Sequence, residues 1–164
     1  MIEKKWKSYE EVATYLLNQF AEKFELGRIE GKQIIPGESG TEWEIDAKGY
    51  STDGSHFLIV ECKRYTKSGV NQAITGSLAW AIKDTGASGG ILVSPLGLQE
   101  GAKKVADKAG IYEVRLDKDS TTTDYVLHFL NQVCLGFSDG FTLSDSMSIT
   151  LIDKDGNVIE TRNV

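Results

Sequence analysis

The spacing of apolar residues predicts an alternation of helices and strands along the first two-thirds of the chain. The segment SYEEVATYLLNQFAEKF begins with Ser8, a suitable N-cap that is followed three residues later by Glu11, and predicts an amphipathic helix. Its apolar residues recur at helical spacing: Val12, Tyr15, Leu16 and Phe20.

Three strands are predicted after this helix. GRIEGKQIIPG predicts a short strand that Pro36 and Gly37 end. TEWEIDAKGY alternates, with one predicted face formed by Trp43, Ile45 and Ala47. After the turn STDGS, which contains the strong hairpin signal Asp53-Gly54, HFLIVECKRY starts apolar on both faces, as expected of a central strand covered on both sides.

The hydrophobic period then changes to that of alternating helices and strands. SGVNQAITGSLAWAIKDTG predicts a helix closed by Gly86, with Trp80 in the core, and LQEGAKKVADKAG predicts a second helix stopped by Gly110. GGILVSP and IYEVRL predict strands. The order α-β-β-β-α-β-α-β over residues 8–116 makes HFLIVECK and GILVS parallel neighbours, because a crossover helix joins them.

The C-terminal part is predicted to be a small appendage of the same domain. TTTDYVLHFLNQVCLGF predicts a capped helix that packs on the core, and MSITLIDKDGNVIETR predicts a hairpin around Asp155-Gly156. We expect a core over residues 1–116 and an appendage over residues 117–164. The hairpin is expected to mediate a homodimer, since a short hairpin is too small to be stable alone.

Composition fits a soluble α/β domain and places most of the acidity at the C-terminal end. The 164 residues are 40% hydrophobic and 26% charged, with a net charge of −6. Residues 1–116 carry 15 Lys+Arg against 16 Asp+Glu, whereas residues 117–164 carry 3 against 8. Charge therefore neither favours nor excludes a nucleic-acid partner.

Targeting and redox signals are weak in this sequence. The start MIEKKWKSYEE has no apolar signal region, and no apolar window approaches 18 residues, so we expect a cytoplasmic protein without a membrane span. Cys62 and Cys134 form no CxxC pair, which favours free thiols in a reducing compartment.

The candidate chemistry lies in EIDAKGYSTDGSHFLIVECKRY. A hairpin centred on Asp53-Gly54 places Asp46 opposite Glu61, with Lys63 on the same side. Like charges opposed on a sheet are destabilising, but Mg²⁺ accepts one or two carboxylates and keeps several waters. The pattern therefore predicts a site for metal-assisted hydrolysis. The alternative is an ordinary cross-strand salt bridge, because the same register opposes Glu44 to Lys63.

The stretch from Tyr9 to Leu116 resembles the PD-(D/E)XK nuclease superfamily. The matching pieces are YEE, EID, VECKRY, the helix containing VNQAITG, and GGILVSP followed by a small-residue helix and GIYEVRL. Within the superfamily the chain is most similar to Mrr-like restriction endonucleases and their archaeal Holliday-junction-resolvase relatives. The resemblance implies a restriction-endonuclease-like α/β fold with an α-β-β-β-α-β core, in which helices flank a mixed central sheet.

The resemblance also implies roles for individual residues. Asp46 and Glu61 match the two metal-binding acids, Lys63 matches the motif lysine, and the carbonyl of Cys62 is a further candidate ligand for Mg²⁺ or Mn²⁺. Ile45 stands where the family name implies proline, a departure that many relatives share.

Further candidates flank this motif, each with an alternative. Glu10 resembles the extra acid of some relatives, with Glu11 as the competing choice, and Gln72 either points toward the site or is an ordinary helix-surface amide. A last group, just past the motif, either contacts DNA phosphates or forms a solvated strand end: Arg64, Tyr65 and Lys67.

Three functional hypotheses follow from these residues and the resemblance. The first is a Mg²⁺-dependent DNA endonuclease of the Mrr-like restriction type, for which a separate partner supplies sequence specificity. The second is a homodimeric Holliday-junction-resolving nuclease with the same chemistry. The third, from a different class, is a nuclease-fold module that binds nucleic acid or protein and has lost catalysis.

Overall fold

The computed structural model describes residues 8–116, 125–129, 140–143, 148–152 and 158–163. The helices are α1 (Tyr9–Gln19), a 3₁₀ helix (Ala21–Phe24), α2 (Gln72–Thr85) and α3 (Glu100–Ala109). The strands of the core are β1 (Leu26–Glu30), β2 (Gln33–Pro36), β3 (Glu42–Ile45), β4 (Ala47–Ser51), β5 (Phe57–Cys62), β6 (Gly89–Ser94) and β7 (Ile111–Leu116). Four strands follow: β8 (Tyr125–Phe129), β9 (Gly140–Leu143), β10 (Ser148–Ile152) and β11 (Val158–Asn163).

The strands of the described ranges form one large mixed sheet and one small ribbon. The large sheet has nine strands in the order β1-β4-β5-β6-β7-β8-β9-β10-β11. β5, β6 and β7 run parallel, and the flanking pairs are antiparallel, so the predicted parallel pairing of β5 with β6 is confirmed. β2 and β3 pair with each other as a separate two-stranded sheet, here called the β2–β3 ribbon.

Helices cover both faces of the core strands. Leu58, Val60 and Cys62 of β5 pack in a cluster with α1, whereas Ile59 packs with α2 and α3. This alternation follows from the two-residue period of a strand, and it places Glu61 and Lys63 on the α2 side of the sheet. The predicted fold class, a mixed sheet flanked by helices, is confirmed, and the order α-β-β-β-α-β holds when only the strands of the large sheet are counted.

Three predicted helix boundaries, the start of α1 and the C-terminal ends of α2 and α3, are confirmed by hydrogen bonds or backbone angles. The Ser8 hydroxyl accepts the N–H of Glu11 at 3.2 Å and caps α1. Gly86 and Gly110 end α2 and α3 with φ of 72° and 68°, a left-handed conformation that glycine adopts without steric cost. Within the described helices, none is long and apolar enough to cross a membrane.

Two predicted strands are each divided in the structure. GRIEGKQIIPG forms β1 and β2, and TEWEIDAKGY forms β3 and β4 with a bend at Asp46. The predicted common face of Trp43, Ile45 and Ala47 is therefore wrong, because Ile45 packs with α2 and Ala47 packs with α1. The chain changes faces at Asp46, where the ribbon leaves the main sheet.

The predicted C-terminal helix is wrong where the structure describes it. Tyr125–Phe129 is strand β8, antiparallel to β7, because its β-branched and aromatic residues suit a strand and β7 offers it a backbone edge. The remainder of that predicted helix lies outside the described residues. β10 and β11 are antiparallel, as the predicted hairpin requires, and the Asp155-Gly156 turn itself lies outside the described residues.

The predicted core position of Trp80 is also wrong. The side chain lies on the outer face of α2 and is 51% exposed. The Nζ of Lys83 lies 5.4 Å from its ring centroid, within the range of a cation–π interaction.

Candidate active site

The β4–β5 hairpin has the register that the sequence predicts. Ala47 pairs with Val60 and Tyr50 pairs with Phe57, and Ser51 donates its N–H to the carbonyl of His56 beside the turn. One step beyond the Ala47–Val60 pair, this register opposes Asp46 to Glu61. The two acids therefore lie at the open end of the hairpin, where Glu61 also lines the cleft beside α2.

Asp46 is a half-buried carboxylate that is held by the backbone of the neighbouring strand. Its Oδ2 accepts the N–H of Cys62 at 2.7 Å. Burial raises the pKa of Asp46, the hydrogen bond from Cys62 opposes that shift, and the negative charge of Glu10 adds to it. The net pKa is above its ordinary value, so the ionised form is disfavoured at this position.

Glu61 has the same electrostatic character. Burial raises its pKa, the hydrogen bond from Lys63 opposes the shift, and the charge of Asp46 raises the pKa further. Both acids are half-buried, and the charge of Asp46 disfavours ionisation of Glu61; a cation placed between them would relieve this repulsion.

The Lys63 ammonium forms an ion pair with Glu61. The backbone N–H of Lys63 donates to the carbonyl of Val93 at 2.8 Å, which joins the end of β5 to β6. Burial alone would lower the pKa of the Lys63 ammonium. The hydrogen bond to Glu61 and the attraction of nearby carboxylates outweigh burial, so the net pKa is raised and Lys63 is an ammonium at neutral pH.

Cys62 contributes backbone rather than thiol chemistry to this group. Its side chain is buried in the α1 cluster, and burial raises the pKa of the thiol well above its ordinary value. The thiol is therefore protonated and unreactive, whereas the backbone of Cys62 lies between the two motif residues and contacts Asp46.

The remaining predicted residues are distributed unevenly around the site. Glu10, in the first turn of α1, is close enough for its charge to raise the pKa of both Asp46 and Glu61; Glu11 is not among the causes of either shift. The Gln72 side chain lies against α3 and not in this group: its Oε1 is next to Gly101. The three residues past the motif are exposed: Arg64, Tyr65 and Lys67.

The salt-bridge alternative is not the arrangement in the structure. Glu44 forms its ion pair with Lys32, and Lys63 pairs with Glu61. Glu44 takes part in the ribbon, where it pairs with Ile34, and not in the β4–β5 ladder.

A cleft of about 230 Å³ adjoins Glu61 and Lys63, between the β2–β3 ribbon and α2. It is lined by Trp43, Glu44, Ile45, Ile59, Glu61, Lys63, Ile74, Ser77, Leu78 and Ala81. The helical spacing of Ile74, Leu78 and Ala81 predicts a buried face of α2, but no local signal shows that the ribbon forms the opposite wall. Trp43 was therefore not recognised as a site residue from the sequence.

The donor atoms fit a hard divalent cation better than zinc. Across the ranges that the structure describes, no group of three or more His, Cys, Asp or Glu side chains is arranged to hold a metal ion. The available donors are two carboxylates, from Asp46 and Glu61, whose like charges a divalent cation would offset. Mg²⁺ binds through one or two carboxylates and retains waters, whereas a structural zinc site needs four protein ligands.

No protein-family model matches the sequence, and no curated protein is significantly similar to it. Three solved structures show a distant likeness. A crystal structure of a protein of unknown function is 18% identical, with a TM-score of 0.49 over 62% of this chain. A repair endonuclease from Pyrococcus abyssi is 24% identical, with a TM-score of 0.38 over 66% of the chain. A complex of EndoMS with double-stranded DNA shows 22% identity and a TM-score of 0.39 over 68% of the chain.

The chain matches only about half of the length of these proteins: 55%, 47% and 46%, respectively. All three TM-scores lie below 0.5, so the likeness is too distant to assign an activity.

Proposed function

We propose that this chain is a metal-dependent DNA endonuclease of the PD-(D/E)XK type, similar to Mrr-like restriction endonucleases, which hydrolyses phosphodiester bonds. The observation that carries the proposal is the convergence of Asp46, Glu61 and Lys63 at the open end of the β4–β5 hairpin. Two half-buried acids that repel each other, beside a paired ammonium, are costly for folding and suited to holding a metal ion near a phosphate.

Asp46 and Glu61 would hold Mg²⁺ or Mn²⁺, with the carbonyl of Cys62 as a further ligand. A bound cation of this kind supplies positive charge for the phosphate oxygens and lowers the pKa of a coordinated water. Glu10 adds negative charge near Asp46 and Glu61. This charge favours binding of a cation and disfavours binding of a phosphate without a metal ion.

Lys63 is proposed to position the attacking water and to stabilise charge on the phosphate. The ammonium donates to Glu61 and lines the cleft, so a donor already lies beside the proposed metal ligands. A preorganised charge of this kind stabilises a transition state without reorganisation during the reaction. In the overall step, a water oxygen bonds to phosphorus and the water gives up one proton, while one P–O ester bond breaks and the leaving oxygen takes up one proton, so that the elements of water are added across the bond.

DNA is proposed to approach from the side of residues 64–67. Arg64, Tyr65 and Lys67 are exposed just beyond the proposed metal ligands. Side chains of these types contact phosphate oxygens and so fix the position of the duplex without reading its sequence. Sequence specificity would then come from a separate partner.

The test is metal-dependent nicking of supercoiled plasmid by the full chain. Asp46→Asn and Glu61→Gln should abolish nicking, and Lys63→Ala should reduce it by about 10²-fold or more, as loss of one preorganised donor does. Lys104→Ala is the matched control, because Lys104 forms a comparable pair with Glu100 on the exposed face of α3. Lys63→Arg separates the roles, since it keeps the charge and the ion pair but changes the donor geometry.

The choice of DNA distinguishes the related hypotheses. Cleavage of linear and supercoiled duplex supports the restriction type, and cleavage confined to branched DNA supports the junction-resolving type. DNA binding without cleavage under any metal would support the inactive module and reject the proposed enzyme.

A further inference from the structure

A buried acid outside the proposed site joins the β2–β3 ribbon to helix α2. Asp84, in the last turn of α2, is 6% exposed. Its carboxylate accepts three hydrogen bonds from the ribbon: from the N–H of Ser39 at 2.9 Å, from the hydroxyl of Ser39 at 2.7 Å, and from Nε1 of Trp43 at 2.8 Å. The backbone carbonyl of Asp84 accepts a fourth, from Glu38, at 2.8 Å. We call this set of bonds the Asp84 anchor.

The turn of the ribbon is shaped to approach this carboxylate closely. A Cβ atom on Gly37 would lie 1.9 Å from Oδ2 of Asp84 and 2.9 Å from Nε1 of Trp43, so a larger residue could not occupy this position without a shift. The N–H of Gly37 donates to the carbonyl of Thr41 at 2.7 Å, which closes the turn around the carboxylate.

The ribbon connects the anchor directly to the proposed metal site. β3 ends at Ile45, and the next residue is Asp46. Trp43 and Ile45 form the ribbon wall of the cleft that Glu61 and Lys63 also line. Among the described strands, β2 and β3 hydrogen-bond only to each other as a ladder, so the main sheet does not fix the ribbon through backbone pairing.

We infer that Asp84 is a positioning residue: by fixing the β2–β3 ribbon against α2, it places Asp46 opposite Glu61 for metal binding and keeps the adjoining cleft open. This inference rests on the proposed function and assigns a role in it to the C-terminal turn of α2. Asp84 is not among the proposed metal ligands or DNA-contacting residues and acts through Trp43, Ser39 and the strand that leads to Asp46.

The chain contains a matched control for this inference. Asp53, in the β4–β5 turn, also accepts three hydrogen bonds: from the N–H of Ser55 at 3.0 Å, the hydroxyl of Ser55 at 2.7 Å and the hydroxyl of Ser51 at 2.8 Å. It lies at the end of β4 that is remote from Asp46. Asp53→Ala therefore removes three hydrogen bonds from the β4–β5 hairpin, whose other end carries Asp46, and leaves the ribbon unchanged.

The first measurement is calorimetric titration of the full chain with Mn²⁺ at a temperature where every variant is folded. Asp84→Ala should weaken binding by roughly 3- to 10-fold, less than the roughly 10- to 100-fold caused by losing a residue that bonds a metal ligand directly, and Asp53→Ala should leave it unchanged. Asp84→Asn keeps one acceptor oxygen and should restore part of the affinity. If Asp84→Ala does not fold, Ser39→Ala, which removes one donor of the anchor, should give a smaller weakening in the same direction.

The second measurement reports the ribbon itself. In a background of Trp6→Phe and Trp80→Phe, the emission of Trp43 should shift to longer wavelength in Asp84→Ala and remain unchanged in Asp53→Ala. A shift of Trp43 with Mn²⁺ affinity equal to that of Asp53→Ala would overturn the positioning role and leave the proposed function intact. A parent chain that neither binds Mn²⁺ nor nicks DNA would instead reject the proposed function, and the inference with it.

Discussion

At Asp46, folding and metal binding make opposite demands on one carboxyl group. The side chain is half-buried, and its pKa is raised chiefly by burial, so the charged form destabilises the metal-free fold. The hydrogen bond from Cys62 fixes the carboxylate without removing that cost. The same charge, together with that of Glu61, is what a divalent cation requires.

We predict that Asp46→Asn stabilises the metal-free protein while weakening its affinity for Mg²⁺ and Mn²⁺. The amide oxygen can still accept the Cys62 N–H, and the repulsion with Glu61 is removed, which should raise stability by about 0.2–1 kcal/mol. Urea unfolding in chelator measures the stability, and calorimetry measures metal binding. Glu42→Gln, an exposed acid of the adjacent strand β3, should change neither. Equal metal affinity in Asp46→Asn and the parent chain would remove Asp46 from the metal site.

At the scale of elements, the β2–β3 ribbon is held by side-chain packing and by hydrogen bonds to the end of α2. Its Ile35 and Ile45 are buried in the α2 and α3 cluster, and its turn is held by Asp84. The ribbon is therefore the part of the described core in which side-chain contacts replace a backbone ladder to the main sheet.

We predict that Gly37→Ala destabilises the protein and Gly31→Ala does not. A methyl group on Gly37 would collide with the Asp84 carboxylate and the Trp43 indole, which should cost about 1–3 kcal/mol, as overpacking does. Gly31 also lies in the ribbon region, but nothing lies within 4 Å of a Cβ placed there. Denaturant unfolding of the two variants compares them directly, and equal stabilities would mean that the turn moves away from α2 without cost.

The Asp84 anchor should also be visible in the pH dependence of stability. Hydrogen bonds from Trp43 and Ser39 hold the pKa of Asp84 below its ordinary value. A carboxyl group with a lowered pKa in the folded state stabilises the fold above its unfolded pKa, about 3.9, and this contribution is lost as the pH falls through the folded pKa.

The stability difference between the parent chain and Asp84→Asn should therefore be constant from neutral pH down to about pH 5 and shrink below about pH 4. Urea midpoints at a series of pH values measure this difference. A difference that persists unchanged at pH 3 would show that the charge of Asp84 does not contribute.

Local patterns predicted those elements whose signals are contained in their own residues. The start of α1, the C-terminal ends of α2 and α3, the central strand β5 and the register of the β4–β5 hairpin follow from a cap, two glycines and a hairpin turn. The ribbon could not be predicted in this way, because Trp43 and Asp84 are far apart in sequence and only the fold brings them together. The sequence predicts a helix at β8 because a short apolar run fits helical and strand periodicity equally well. The segment forms a strand because β7 offers it a backbone edge for antiparallel pairing.

At the scale of the molecule, the described strands extend the core sheet on one side only. β1 is the edge strand on one side of the sheet. On the other side β8, β9 and β10 follow β7, and β11 is the edge strand. In the part of the chain that the structure describes, β11 pairs only with β10, so its other backbone edge is available to a second copy. This edge is where the predicted homodimer would form.

We predict that deleting residues 139–164 lowers the oligomeric state and leaves Mn²⁺ binding intact. The deletion removes β9, β10 and β11, which are remote from Asp46 in the strand order. Light scattering gives the mass and calorimetry gives the metal affinity. An unchanged mass would reject the β11 edge as the interface, and a larger mass would show that exposing the edge of β8 drives association.

One hydrogen bond bears on the order in which the nascent chain can fold. The hydroxyl of Tyr9 donates to the carbonyl of Leu116 at 2.9 Å, across 107 positions of sequence. At roughly 5–20 residues per second, a ribosome needs on the order of 5–20 s to add the residues between them. During that interval α1 is already synthesised, but β7, whose Leu116 carbonyl accepts the Tyr9 hydroxyl, is not. The Tyr9 end of α1 therefore cannot complete its packing until Leu116 has been synthesised, whereas the rest of its apolar face can pack earlier on β1 and β5.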